Sequence, residues 1–137
     1  MKTLIALGVA CALASCATPS SHLLAEGSLG PYSASRTHGD LVFVSGQVGA
    51  ERGEGVPFAT EVTSCLDRVA NELTRAGASF DDVVAATVYL TDMDRYAEFN
   101  AIYAARLSPP YPARACVAVA ELPGGARVEV MVTAAKR

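Results

Sequence analysis

Residues 112–130 read PARACVAVAELPGGARVEV, and this stretch decides the fold. Two runs of small and β-branched residues flank a glycine-rich break. Ala113 to Glu121 reads as a strand, Leu122 to Ala126 as a turn, and Arg127 to Ala134 as the last strand. Side chains alternate between the two faces of a strand. Arg114, Cys116, Ala118 and Ala120 therefore share one side, while Ala115, Val117, Val119 and Glu121 share the other. In the last strand Val128, Val130 and Val132 oppose Glu129, Met131 and Thr133. One valine set should meet helices. The other sheet face is small, mixed and only partly polar, and a lone domain of this size would leave it wet. Burial against sister subunits accounts for it better, which predicts a closed symmetric oligomer.

Working back from this stretch, Ser108 to Pro112 (SPPYP) cannot continue a helix and forms a stiff connector. Before it, Arg95 to Leu107 reads as a helix with Tyr96, Phe99, Tyr103 and Leu107 turned inward, entered through the turn Thr91 to Asp94. Val83 to Leu90 is a strand preceded by Asp81 and Asp82. Glu61 to Ala76 is a second amphipathic helix. Its apolar face is Val62, Cys65, Leu66, Val69 and Leu73, with Thr60 as N-cap and Gly77 as the stop. Cys65 on that face reads as core filler. Ala50 to Gly55 is a loop. Leu41 to Val44 is a strand that Ser45-Gly46-Gln47 ends, and Ser33 to Arg36 is a short first strand before the turn at Gly39-Asp40. The order β-β-α-β-α-β-β is that of an α+β domain, with two helices on one face of a mixed sheet.

A length of 137 residues fits one domain, and 51% apolar against 18% charged residues supplies a packed core. The net charge is −3 and the Lys and Arg residues are scattered, so the basic stripe of a nucleic-acid binder is missing. His22 and His38 stand alone, and no Cys/His cluster has metal-ligand spacing. No metal and no cofactor are expected. Cys65 and Cys116 are expected as free thiols.

The first sixteen residues differ from the rest. Met1-Lys2 is a short positive start, and Leu4 to Ala14 is an apolar run too short to span a bilayer. It ends in Leu13-Ala14-Ser15-Cys16, which resembles a bacterial lipobox whose cysteine takes the lipid. The alternative is an ordinary signal peptide cut near Ala14 to Ala17. Residues 1–16 are thus expected as a signal with lipobox, 17–29 as a tether, and 30–137 as the domain. The protein would then be exported, periplasmic, and held to a membrane through acyl chains on Cys16.

Five pieces in order carry a family resemblance. They are Gly30-Pro31-Tyr32-Ser33, GDLVFVSGQVG (39–49), AGASFDDVVAATVYLTDM (76–93), FNAIYA (99–104) and PARACVAVAELPGGARVEV (112–130). Together they resemble the RidA/YjgF family over nearly the whole domain. The resemblance implies a chorismate-mutase-like fold assembled as a homotrimer with sites in the clefts between subunits. It implies hydrolysis of reactive 2-imino and 2-enamino acids to 2-keto acids and ammonia. A different C–N hydrolase and a non-enzymatic trimer that binds a small carboxylate are the competing readings.

The implied site residues have chemistry of their own. Arg114 offers a planar fork for a carboxylate; the alternative is a salt bridge at the oligomer seam. Glu129 interrupts an apolar strand where the family carries its acid, proposed to handle the attacking water; it could equally be solvated or paired with Arg127. Cys116 matches the family's site cysteine and reads as a pocket wall, since no His lies nearby in sequence to activate it. Tyr32 matches the site tyrosine, or is a seam aromatic. Ser45 and Gly46 offer a hydroxyl and an amide. Asn100 either supports the cleft or faces outward. Two departures are local: the loop after Gln47 is shorter than is typical, and Glu61 stands where Gln is common; both are expected to reshape the pocket rim or the trimer contact. The export signal is a third departure, because an anchored protein would not meet enamines made in the cytosol.

Overall fold

The computed structural model describes residues 30–137. The expected signal, the lipobox with Cys16 and the tether lie outside the described residues.

A five-stranded mixed sheet carries two helices. The elements are β1 (Ser35–His38), β2 (Leu41–Val48), α1 (Phe58–Arg75), β3 (Val83–Leu90), α2 (Tyr96–Arg106), β4 (Ala113–Ala118) and β5 (Val128–Ala135). The strand order is β1-β2-β5-β3-β4, antiparallel except for β3 with β4. α2 makes the crossover that a parallel pair requires. The last strand is therefore central. The glycine turn after β4 does not fold β5 back onto it; β3 lies between the two.

The valines of β5 face the helices as expected. Val128, Val130 and Val132 are buried with Val42, Val44, Val88 and Leu90 of neighbouring strands, and with Val62, Leu66, Val69 and Leu73 of α1. Phe99 of α2 is fully buried and lies 5.5 Å from the Tyr103 ring. β4 departs from this pattern. Arg114 and Cys116 pair with Ala86 and Val88, whose side chains are in the core, so these two point to the helix side. Val117 pairs with Tyr89 and points to the open face. That open face exposes Leu41, Phe43, Val117 and Met131.

Several boundaries move for local reasons. α1 begins at Phe58 with Pro57 in the cap position, one turn ahead of Thr60, because Pro57 carbonyl already accepts from Glu61 N–H at 3.1 Å. Gly77, at φ 73°, ends the helix as expected. Tyr96 does not turn inward: it is 39% exposed at the first residue of α2. β2 runs on through Ser45 and Gly46 to Val48 across a bulge between Val44 and Gln47. β4 stops at Ala118, and Pro123–Gly125 forms a single 3-10 turn with Gly124 at φ 63° and Gly125 at φ 70°.

Candidate functional site

The site residues fall into two groups. The first is built on the edge strand β4 and on α2. Arg114 Nη2 donates to Asn100 Oδ1 at 2.7 Å and to the Tyr96 hydroxyl at 3.4 Å. Its Cζ lies 4.7 Å from the Tyr103 ring centre, 5.6 Å from Phe99 and 5.9 Å from Tyr96. Cation–π attraction holds the guanidinium beside these rings without neutralising it. Among the described residues Arg114 has no carboxylate partner, and Nε and Nη1 make no hydrogen bond. The side chain borders a cavity of about 410 Å³ lined by Asn100, Tyr103, Ala104, Tyr111, Pro112 and Arg114. The Tyr103 hydroxyl is buried there without a partner among the described residues. Cys116 is half-buried on the same strand face. Burial pushes its thiol up and nearby Arg114 pulls it partly back, so the sulfur stays protonated near neutrality.

The second group lies on the opposite face of the sheet. Glu129 on β5 pairs across the strands with Val48 and Tyr89. It borders a cavity of about 430 Å³ lined by Gly30, Tyr32, Ser45, Gly46, Val48, Pro123 and Glu129. The β2 bulge makes the floor. Ser45 hydroxyl donates to Ser33 carbonyl at 2.7 Å, and Ser45 N–H donates to Ala34 carbonyl at 2.9 Å. Below it the Cys65 thiol donates to Gln47 carbonyl at 3.0 Å, and burial holds that thiol near 12, so it is an inert core group as expected. Gly46 is bare for a reason: a Cβ there would fall on the Glu129 carboxylate, 2.7 Å from Cδ. Burial raises the Glu129 pKa above the ordinary glutamate value. Arg127 does not pair with it; that arginine is taken by Glu61. Glu61 itself is fully buried, which corrects its expected place at the pocket rim.

One subunit thus brings Asn100 and Cys116 to Arg114, and Tyr32, Ser45 and Gly46 to Glu129, but does not bring the two groups together. The pleat is the cause. Arg114 shares a face with Ala86 and Val132, whereas Glu129 shares the other with Tyr89 and Val117. Tyr96 and Tyr103 were missed as site residues because their spacing along α2 reads as core. Val48 and Pro123 were missed because only the bulge and the strand order place them beside Glu129. Among the described residues no group of three His, Cys, Asp or Glu could hold a metal ion.

Chemically, one group offers a fixed cation to an anion, and the other a partly dry carboxylate that can carry a proton. The packing of Glu129 on Gly46 is directly testable. Gly46→Ala should push the carboxylate out toward water, and NMR titration of Glu129 should then show its pKa moving back toward the ordinary range. An unchanged titration would contradict the packing.

Comparison with known proteins places this geometry in a family. The family model described as Endoribonuclease L-PSP matches residues 24–136. The RutC family protein y4sK of Sinorhizobium fredii is 39% identical over 110 residues, covering 77% of this chain and 87% of that protein. The 2-iminobutanoate/2-iminopropanoate deaminase of Bos taurus is 36% identical over 110 residues, covering 77% and 80%. The crystal structure of RidA from an Antarctic Psychrobacter superposes with a TM-score of 0.74 at 36% identity, covering 81% of this chain and 93% of that one. The matched residues, the superposition and these identities show that the chain belongs to the RidA/YjgF family, the family of the Endoribonuclease L-PSP model.

Proposed function

We propose that this protein hydrolyses 2-imino and 2-enamino acids to 2-keto acids and ammonia, in sites completed between copies of a homotrimer. The observation that carries this reading is the division of the site. Among the described residues, Arg114 is an oriented cation without an anion on one sheet face, and Glu129 is a partly desolvated carboxylate without a cation on the other. Joining the Arg114 face of one copy to the Glu129 face of the next supplies both needs at once. The exposed Phe43, Val117 and Met131 would be covered by the same association. Relatives that bear the name 2-iminobutanoate/2-iminopropanoate deaminase support the reaction.

In this reading Arg114 grips the substrate carboxylate through its unused Nε and Nη1 edge, with Asn100 and the aromatic rings fixing the plane. An enamine first takes a proton from water at its outer carbon and becomes the protonated imine. Glu129 accepts a proton from water as the oxygen attacks C2 of that iminium ion, giving a neutral carbinolamine. It then gives that proton to nitrogen, and as the C–N bond breaks and ammonia leaves, the hydroxyl returns a proton to the carboxylate and the keto acid is formed. A carboxylate with a raised pKa suits a group that both takes and gives a proton. Phosphodiester cleavage is less suited to the site, because a chain of net charge −3 lacks the basic surface that nucleic acid requires.

With 2-iminobutanoate generated in situ, Arg114→Ala should lower kcat/KM on the order of 10²-fold or more. Glu129→Gln should lower it on the order of 10²–10⁴-fold. As a base Glu129 must be ionised, so wild-type activity should fall as pH drops through its raised pKa, above the ordinary glutamate range. The Gln variant should lack that acid limb. A wild type that gives no acceleration yet binds a keto acid at Arg114 would instead identify a carboxylate-binding protein.

We further infer that the chain is an exported lipoprotein, on the apolar run Leu4 to Ala14 and the Leu13-Ala14-Ser15-Cys16 ending. Cys16→Ser should release the protein from membranes on fractionation; retention of the variant would refute the anchor.

A further inference from the structure

Glu61 is the one carboxylate among the described residues that is fully buried, and it takes no part in the chemistry above. It sits in the first turn of α1 and is saturated with donors. Arg127 N–H reaches Oε1 at 2.6 Å, Arg127 Nε reaches Oε2 at 2.7 Å, and Gly53 N–H reaches Oε2 at 3.3 Å. Arg127 Nη2 also lies 2.7 Å from Oε2 and donates to Val56 carbonyl at 2.6 Å. The Phe58 ring backs Arg127, 5.5 Å from its Cζ. One ion pair therefore ties together the start of α1, the 50–56 loop and the entry to β5.

A second tie runs alongside. Arg52, in the same loop, donates from Nε to Gly124 carbonyl at 3.1 Å and from Nη1 to Gly49 carbonyl at 2.9 Å. Gly49 has no room for a side chain, since a Cβ would lie 2.8 Å from Glu61 carbonyl oxygen. Gly124 is likewise closed, because a Cβ would meet Arg52 Nη2 at 2.7 Å. The 3-10 turn at Pro123–Gly125 is thus held from the loop side by Arg52 and from the strand side by Arg127.

Pro123 is a wall of the Glu129 cavity, and Val48, Glu129's cross-strand partner, is another. A buried ion pair rarely gains net stability over an apolar replacement, but it admits few geometries. We propose that Glu61, Arg127 and Arg52 are positioning residues that fix the Pro123 wall and thereby set which substrate side chains fit. This rests on the reading of the site given above. With the carboxylate on Arg114 and C2 facing Glu129, the substrate side chain runs toward the apolar lining of Val48 and Pro123. The clamp would hold that wall close and favour short aliphatic chains.

Binding of two 2-keto acids, 2-oxopropanoate and 4-methyl-2-oxopentanoate, tests this by calorimetry without requiring turnover. The variants are Arg52→Ala, whose bonds go only to backbone carbonyls, Arg52→Lys, and Glu61→Gln. Wild type should prefer the short acid. Arg52→Ala should shrink the ratio of the two Kd values about five-fold, a change of the size that methylene-scale pocket changes produce. Glu61→Gln should shift it in the same direction, and Arg52→Lys should lie between wild type and Arg52→Ala. A role confined to folding would lower the bound fraction equally for both acids. An unchanged ratio in Arg52→Ala and in a folded Glu61→Gln overturns the clamp. Deaminase turnover of the wild type is measured in parallel: its absence with the ratio change intact counts against the deaminase alone, and wild type that binds neither acid overturns both.

Discussion

A guanidinium held against three aromatic rings, hydrogen-bonded to a neutral amide and facing no carboxylate among the described residues, is the feature on which the rest turns. Its charge is kept, its plane is fixed, and one edge remains unspent. Partial burial without an anion carries a desolvation cost that the rings offset only in part. In the proposed reading, a small organic acid offsets that cost when it binds. In the proposed site, the matching carboxylate reaches this cation from a neighbouring copy.

The sheet explains why one chain does not bring its own carboxylate to Arg114. Because β5 is central and β4 lies at the edge beyond β3, Arg114 and Glu129 are separated by one strand and by the pleat. A shift of one residue in β5 would put both on the same face and would also expose the valines of that strand. The hydrophobic core therefore locks the division of the site in place. The β2 bulge completes the Glu129 half, since it presents Gly46 where any larger residue would occupy the carboxylate's space.

Much of this was legible in the chain. Period-2 alternation in 113–121 and 127–134 gave the strands, and helical spacing from Val62 to Leu73 gave the long helix. Glu129 stood out because a charge interrupts an apolar strand, and Arg114 because it falls in the PARACV segment that resembles the family and offers a fork for a carboxylate. The strand order was not legible, because LPGGA is compatible with a turn between neighbours and with one that crosses a third strand. The bulge was hidden for a related reason: Ser45-Gly46 looks like an end, and only the pairing of Gln47 with Val130 keeps the strand going. Glu61 read as a rim residue because its partner Arg127 lies 66 positions away. Tyr96 and Tyr103 read as core because the aromatic stripe on α2 carries no mark of the arginine it faces.

The central claim is that each site takes its cation from one copy and its acid from another. Co-expressing Arg114→Ala and Glu129→Gln chains in equal amounts tests it most directly, because random assembly pairs an intact Arg114 half with an intact Glu129 half at about one junction in four. Mixed assemblies should recover about a quarter of wild-type turnover although each variant alone is nearly inactive. Mixtures no more active than the better parent would contradict a shared site.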